Sequence, residues 1–413
     1  VTRRVFITGM GCLSGLAQGV EATWAALLEG RDAMRPFELR LGEAPHLSVT
    51  GEGVWMDPPD TSAFGARFKA SALAHMDPVS AYAVLAAHEA LEDAGLLDQP
   101  ELIRRAGVII GCGAGGLVTV EQFYARLFQT QARNAHPMTI PRQMTSAPAA
   151  QVSMMFGARG PSFAVSSACA SSAHALAEAA EMIRSGRLDI VIAGGAEASF
   201  TLGAWLSWQA LRVVTRSRCR PFSAGRDGMA LGEGGAALVL ESEEHARARG
   251  ARVHAEFLGA GAASDAGHIT QPDGGSIAAA IRAALGQAGI AEGQPALISS
   301  HGTATLLNDK AEAAALRACF GAALDRSLVI ATKPAHGHLC GGGGAIEFVI
   351  GVRALKAGMA PPLLNYAGPD PDCDLPLPTG GARPVDYDVL VSNSFAFGGL
   401  NAVLVARAMP RPW

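Results

Sequence analysis

The sequence predicts an α/β protein built from two pseudo-equivalent halves that meet near residue 250. Three observations lead there. Short β-branched runs alternate with alanine-rich stretches of helical spacing, the rhythm of βα units feeding a buried, mostly parallel sheet. The order of strands and helices is similar on the two sides of residue 250. Finally, 413 residues with 49 glycines, 49% hydrophobic and only 17% charged residues, exceed one small core and suit an interior of close backbone approaches. Residues 1–250 and 251–413 are therefore expected to be the two units, with a site at their junction.

In the first half, Arg4 to Thr8 reads as a strand and Pro78 to Ala94 as a helix with apolar residues at helical spacing. Gly107 to Gly111 and Phe163 to Ser166 read as strands, and Ala170 to Ser185 as a small-residue helix closed by Gly186. Leu188 to Gly194 and Ala236 to Leu240 complete the half as buried strands. The second half repeats the pattern: strand Arg252 to Gly259, helix Ser276 to Ala288, strand Ala296 to Ser299, helix Lys310 to Cys319 and strand Leu328 to Ala331. A helix from Gly344 to Lys356 and the strand pair Val389 to Ser392 and Asn401 to Ala406 close it.

Composition narrows the function. A net charge of −4 supplies no field for nucleic acid or an anionic membrane surface. No apolar run reaches the roughly 18 to 20 residues of a membrane span, and the start of the chain is interrupted at Gly9 and Gly11 before a signal-peptide core, so a cytoplasmic protein is expected. The cysteines Cys12, Cys112, Cys169, Cys219, Cys319, Cys340 and Cys373 form neither a disulfide framework nor a metal-knuckle spacing and are expected to be reduced thiols.

Four segments carry candidate chemistry. Val165 to His174 (VSSACASSAH) puts Cys169 at a strand-to-helix corner among small residues, where the helix dipole and free amides stabilise a thiolate. Free cysteine is also among the most buried residue types, so nucleophile and inert thiol stand level until partners are found. Two histidine turns supply them: Ser299 to Thr305 (SSHGTAT) with His301, and Thr332 to Leu339 (TKPAHGHL) with Lys333 and His338, each directly after a predicted strand. An isolated histidine there is more often a satisfied core residue, but two at matching positions facing a cysteine are not isolated. The fourth is Ser392 to Asn401 (SNSFAFGGLN), where Gly398 and Gly399 leave amides free for an oxyanion or simply form a β-turn.

Two patterns are set aside. Gly111 to Gly116 (GCGAGG) fits a dinucleotide fingerprint but lacks the second strand and acidic residue that nucleotide binding needs. His336, His338 and Cys340 lie close together, yet no second cluster completes a metal's four ligands. Neither a metal nor a cofactor is expected.

Taken in order, the cysteine corner, the histidine turns, Lys333 and the glycine hairpin resemble the β-ketoacyl-acyl carrier protein synthases of the thiolase-fold superfamily. The resemblance runs from ITGMGCLSG through RGPSFAVSSACASS, RPFSAGRDGMALGEGG and GTATLLNDKAE to NSFAFGGLNA. It implies a thiolase-like fold with a layered αβαβα core and an elongating, malonyl-consuming acyltransferase of fatty acid or polyketide biosynthesis. It also implies that Cys169 accepts an acyl group from an acyl carrier protein, while His301 and His338 assist decarboxylation of a malonyl thioester. Lys333 would order His301. The amides of Cys169 and Phe397 would form the oxyanion hole, with Phe397 also gating the acyl pocket. Thr303, Thr305, Phe397 and Gly398 would bind substrate, and Asp309, Glu312 and Glu347 would support the site from behind. A homodimer, or a heterodimer with a related subunit, is the implied assembly.

Departures from the family pattern are also visible. Leu400 stands where threonine is usual and Ala396 where glycine is usual, so the loop around Phe397 is expected to pack differently, leaving chain-length preference open. The stretch Arg67 to His75 is poorer in basic residues than the carrier-docking patch it matches, leaving Arg67, Lys69 and Arg212 as docking candidates. A thiolase would carry a second reactive cysteine where Phe397 stands, and an initiating synthase an asparagine in place of His338. The chain-length partners of active synthases lack the nucleophile. The catalytic subunit of a heterodimer, or another thiolase-fold acyltransferase, stays as the alternative.

Overall fold

A ten-stranded mixed sheet runs through the computed structural model, which describes residues 3–41, 47–61, 73, 75–131, 134–291 and 293–409. Its strands are β1 (Val5–Ser14), β2 (Gly107–Gly111), β3 (Ser162–Val165), β4 (Ile190–Glu197), β5 (Gly234–Ser242), β6 (Ala255–Ser264), β7 (Leu297–Ser299), β8 (Leu328–Ile330), β9 (Val389–Ala396) and β10 (Leu400–Ala408). In space they run β8-β7-β9-β10-β6-β1-β5-β4-β2-β3. Adding five to each strand of the first half reproduces the second half in mirror order. The halves join through a short antiparallel pairing, Val5 with Phe257 to Ile7 with Ala255.

The strand direction departs from expectation. β2 is parallel to β3 and β4, and β7 to β8 and β9, but the remaining pairs are antiparallel. The connection from β9 to β10 shows why. Three residues cannot make the crossover that parallel neighbours require, so the two strands fold back as a hairpin. β1 is also longer than expected and passes straight through Gly9 and Gly11. These glycines do not end the strand; they let the helix α1 (Pro78–Asp93) lie on it. A Cβ at Gly9 would sit 2.0 Å from the Ala90 carbonyl oxygen, and one at Gly11 2.2 Å from that of Ala86.

Side-chain alternation along the strands builds the layers. Val108, Ile110, Ile190 and Ile192 face the core beneath α1, whereas Ile109, Val191 and Ala193 face a central core. That central core holds α2 (Ser171–Arg184) and α5 (Gly343–Ala357), which pack on each other between the two halves of the sheet. On the far side, Leu390 and Leu404 point into the central core, while Val389, Val391, Val403 and Val405 point outward to α3 (Gly274–Ala288) and α4 (Leu306–Phe320). The result is the layered αβαβα arrangement implied by the thiolase-fold resemblance. Among the described residues no helix is long and apolar enough to cross a membrane.

The expected helices recur with shifted ends. α3 starts two residues earlier than Ser276 because the Asp273 carboxylate accepts the N–H groups of Gly275 and Ser276. α4 starts at Leu306, four residues before Lys310. Helices Leu117–Gln129, Ala147–Phe156 and Leu202–Ala210 were not expected at all.

Candidate active site

Cys169 sits between the end of β3 and the start of α2. The corner is fixed locally. Ala168 adopts a left-handed φ of 48°, and the Ser171 hydroxyl accepts the Ser167 N–H at 2.9 Å and donates to the Ala168 carbonyl at 2.6 Å. The backbone N–H groups of Cys169 and Phe397 both hydrogen-bond towards the thiol, the convergence an oxyanion hole requires. Burial nevertheless pushes the thiol up to about 11, against the pull of the Lys333 charge and these two amides. The helix terminus therefore does not hold a thiolate at neutral pH, contrary to the sequence expectation. Desolvation outweighs it, and the sulfur needs a base.

His338 is in place to serve. Its backbone is strapped to the segment 230–232, donating to the Ala230 carbonyl at 2.7 Å and accepting from Gly232 at 3.0 Å. Its Nε2 lies 3.1 Å from Cys169 Sγ. Burial, then the Lys333 charge, holds this imidazole well below its ordinary range, so it is neutral. His301 stands edge-on to it, with ring centroids 5.4 Å apart and planes at 83°. The same causes, burial first, keep His301 neutral.

The turn that carries His301 is held from beneath. The Glu312 carboxylate of α4 accepts the N–H groups of His301 and Gly302 at 2.8 and 2.9 Å, and the Asn393 amide at 3.0 Å. Lys333 approaches from the other side. Its Nζ donates to the His301 carbonyl at 2.5 Å and to Glu347 at 2.6 Å, and lies 3.4 Å from His301 Nδ1. Both members of the Lys333–Glu347 pair are 1% exposed. Asp309 accepts the Phe222 N–H at 2.8 Å and so fixes a neighbouring loop.

A cavity of about 340 Å³ connects these groups to the surface. Cys169, His301 and His338 form its floor, Phe397 a wall, and Thr303, Thr305 and Arg212 lie further along the same lining. Most of the expected site residues thus meet in one place, with Lys333, Glu312, Glu347 and Asp309 behind them. Gly398 is an exception. Its N–H is committed to the Ile269 carbonyl at 2.7 Å, and Gly399 rather than Gly398 reaches the wall. Arg67 and Lys69 lie outside the described residues. His336 turns away, with its ring nitrogens 2.9 Å from the Thr332 hydroxyl and 2.7 Å from the Gly337 carbonyl. Among the described residues no group of three or more His, Cys, Asp or Glu side chains is arranged to hold a metal ion.

Sequence reasoning missed two participants. Trp208 packs against Phe397 with ring centroids 6.2 Å apart; a tryptophan in the short helix Leu202–Ala210 carries no signal of this. Asp265 ties down the β9–β10 hairpin, accepting the Asn401 amide at 2.7 Å while its own N–H donates to the Gly399 carbonyl at 3.0 Å. Its segment Ser264 to Gly275 (SDAGHITQPDGG) is loop-like in composition and could have been flagged. A thiol beside a neutral imidazole, a second imidazole across from it and two converging amides can form and break a thioester and can stabilise an enolate.

Comparison with known proteins agrees with this chemistry. Residues 2–246 match the family model of the beta-ketoacyl synthase N-terminal domain, and residues 254–367 that of the C-terminal domain. The chain belongs to the beta-ketoacyl synthase family. This ketosynthase is 41% identical to nodulation protein E of Rhizobium sp. (strain N33) over 98% of its own length and 99% of the relative's. It is 37% identical to 3-oxoacyl-[acyl-carrier-protein] synthase 2 of Vibrio harveyi, covering 98% of both chains. Among solved structures it matches the ishigamide ketosynthase/chain length factor with a TM-score of 0.90 and 31% identity, over 99% of this chain and 100% of that one. The ketosynthase is accordingly an acyltransferase.

Proposed function

We propose that this ketosynthase carries out a decarboxylative Claisen condensation. It joins an acyl chain held on Cys169 to a malonyl unit on an acyl carrier protein, giving a β-ketoacyl carrier thioester in fatty acid or polyketide biosynthesis. The observation that carries the reading is the 3.1 Å contact of Cys169 Sγ with His338 Nε2, with His301 set across from it. In loading, the thiol proton passes to Nε2 and the sulfur attacks the acyl thioester. The oxyanion forms against the amides of Cys169 and Phe397, and the carrier departs as a thiol with that proton. The malonyl thioester then loses carbon dioxide. Its electron pair becomes an enolate, which His301 and His338 stabilise as hydrogen-bond donors. Imidazole can carry its hydrogen on either nitrogen, so His338 accepts at Nε2 in one step and donates from it in the other. The enolate carbon attacks the Cys169 thioester, and the sulfur leaves as a thiolate that takes up a proton from solvent, restoring the thiol.

Lys333, held by Glu347, orders His301, and Glu312 and Asp309 fix the surrounding turns. Thr303 and Thr305, whose hydroxyls lie 2.9 Å apart, would contact the arm of the carrier, and Phe397 would gate the acyl chain. Arg212, exposed on the cavity lining, is the described candidate for carrier docking, with Arg67 and Lys69 as further candidates. Residues 1–250 and 251–413 are taken as the two units. A dimer fits the edge strand β3, which is half exposed and carries the helix Ala147–Phe156 with Met154 67% exposed. The relative described as a ketosynthase/chain length factor supports the alternative, in which this chain is the catalytic subunit of a heterodimer.

The test separates the two chemical steps. Cys169→Ala is expected to keep releasing carbon dioxide from malonyl carrier but to make no ketoacyl product. His338→Ala, which lacks the base 3.1 Å from the thiol, should load an acyl group more slowly and release carbon dioxide roughly 100 to 10,000 times more slowly. Ketoacyl product from Cys169→Ala, or wild-type carbon dioxide release by His338→Ala, would overturn the roles.

A further inference from the structure

The glycine-rich segment Gly111 to Gly116 takes no part in the chemistry above, yet two of its amides converge on one buried carboxylate. Glu197, the last residue of β4, is 1% exposed. Its Oε2 accepts the N–H groups of Gly113 at 2.9 Å and Gly341 at 3.0 Å, and its Oε1 accepts that of Ala114 at 3.3 Å. Only glycine permits this approach. A Cβ at Gly113 would lie 2.6 Å from Oε2, and one at Gly341 2.8 Å from it. Gly113 leaves β2 in the first half, whereas Gly341 is the third residue after His338 in the second. One side chain thus clamps together two loops from opposite halves, and both adjoin Cys169. The intervening Cys340 has a left-handed φ of 40°, a conformation that costs a non-glycine residue energy and persists where its surroundings enforce it.

Resting on the reading of the site given above, we propose that Glu197 is a positioning residue for the condensation. Its carboxylate pins the turn after His338 against the Gly113–Ala114 loop and so keeps His338 Nε2 in register with Cys169 Sγ. The charge acts in the same place. Glu197 is among the groups that hold the Cys169 thiol high, after burial and against Lys333. The groups facing Glu197 are the thiols of Cys112, Cys169 and Cys340 and, further off, Asp77. No cation among the described residues pairs with it. Burial pushes Glu197 up to about 7 despite its three amide donors. Protonation turns one oxygen into a donor and weakens the N–H bonds that this oxygen accepts.

Glu197→Gln places an N–H against the amide donors and removes the charge. With acyl- and malonyl-loaded carrier protein, its kcat for condensation is expected to fall about 100-fold, the scale of a small misplacement of a reacting group, with KM within twofold of wild type. The pH profile of Cys169 alkylation by iodoacetamide should move to lower pH. Glu197→Asp should restore the wild-type alkylation profile while recovering only part of kcat. Gly341→Ala, whose Cβ would lie 2.4 Å from the Gly113 nitrogen and 2.8 Å from Oε2, forces the two loops and the carboxylate apart without removing the charge and supplies a second perturbation should Glu197→Gln not fold. It should lower kcat and leave the alkylation profile within the wild-type range. A Glu197→Gln enzyme with wild-type kcat and an unmoved alkylation profile would overturn the proposal, as would an unmoved kcat in Gly341→Ala. Failure of the wild-type enzyme to release carbon dioxide from malonyl carrier would instead overturn the proposed reaction. The alkylation profiles would then still judge the charge of Glu197 on their own.

Discussion

Replacing Lys333 by methionine separates what this residue does for the fold from what it does for the chemistry. The ammonium and the Glu347 carboxylate lie 2.6 Å apart and are both 1% exposed, so removing the cation leaves a buried carboxylate with no partner. Breaking such a pair from one side costs about 3 to 5 kcal/mol, a large part of the roughly 5 to 15 kcal/mol that holds a folded domain together. Glu347 already has one oxygen, Oε2, without a partner among the described residues, and burial pushes its carboxyl up to about 7 even beside Lys333, so the carboxyl left alone takes up a proton and a value at the lower end of that range is expected. Lys333→Met with Glu347→Met replaces both charges by apolar side chains of similar length and should return most of that stability. Activity should not return. Both variants lose the donor to the His301 carbonyl, and carbon dioxide release should fall by roughly two orders of magnitude in each. The Lys333 charge also helps keep His301 neutral, so without it the imidazole takes up a proton at higher pH and the acid limb of decarboxylation shifts upward. Urea unfolding and carbon dioxide release, measured over pH 5 to 8, read the two effects separately. A double variant that regained both stability and wild-type decarboxylation would reduce Lys333 to a space-filling role.

The remaining expectations concern the gate and the assembly. Phe397→Ala should alter the relative rates at which short and long acyl donors load Cys169, because it removes the ring that packs on Trp208 while leaving the backbone amide in place; unchanged rates across donors would remove the gate. In sedimentation at micromolar concentration the protein is expected to run as a dimer, and a lone species at the 42.4 kDa of one chain would count against it.

What was legible in the sequence follows from which signals are local. Cys169 shows its corner through small residues and a helix start, and His301 and His338 show theirs through glycines at strand ends. These are properties of a few consecutive residues. The mixed direction of the sheet is not local. β4 and β5 read as buried apolar runs, and such a run looks the same whether its neighbour is parallel or antiparallel. The thiol shows the same division. The helix N-terminus that would favour a thiolate is visible in the sequence, but the burial that outweighs it is set by the folded packing around Cys169 and not by its neighbours in the chain. Gly9 and Gly11 read as breaks because the helix that needs their missing side chains lies some 75 residues further on.

The duplicated topology explains why two halves with so little shared sequence produce one site. β3 leads through a loop into α2, and β8, its counterpart, leads through a loop into α5. Cys169 stands in the first of these loops, and Lys333 and His338 in the second. The next pair of equivalent strands behaves alike: β2 runs into Gly113 and Ala114, and β7 into His301 and Gly302. In each case a buried glutamate accepts two consecutive backbone N–H groups of the loop, Glu197 in the first half and Glu312 in the second. The two halves thus use the same device, a carboxylate under a loop, to hold different groups at the junction. A nucleophile has to meet its base across that junction at hydrogen-bond distance, and a junction whose neighbouring loops are held by buried carboxylates, Glu197 at the end of a strand and Glu312 on a helix, meets that demand better than one lined by mobile loops.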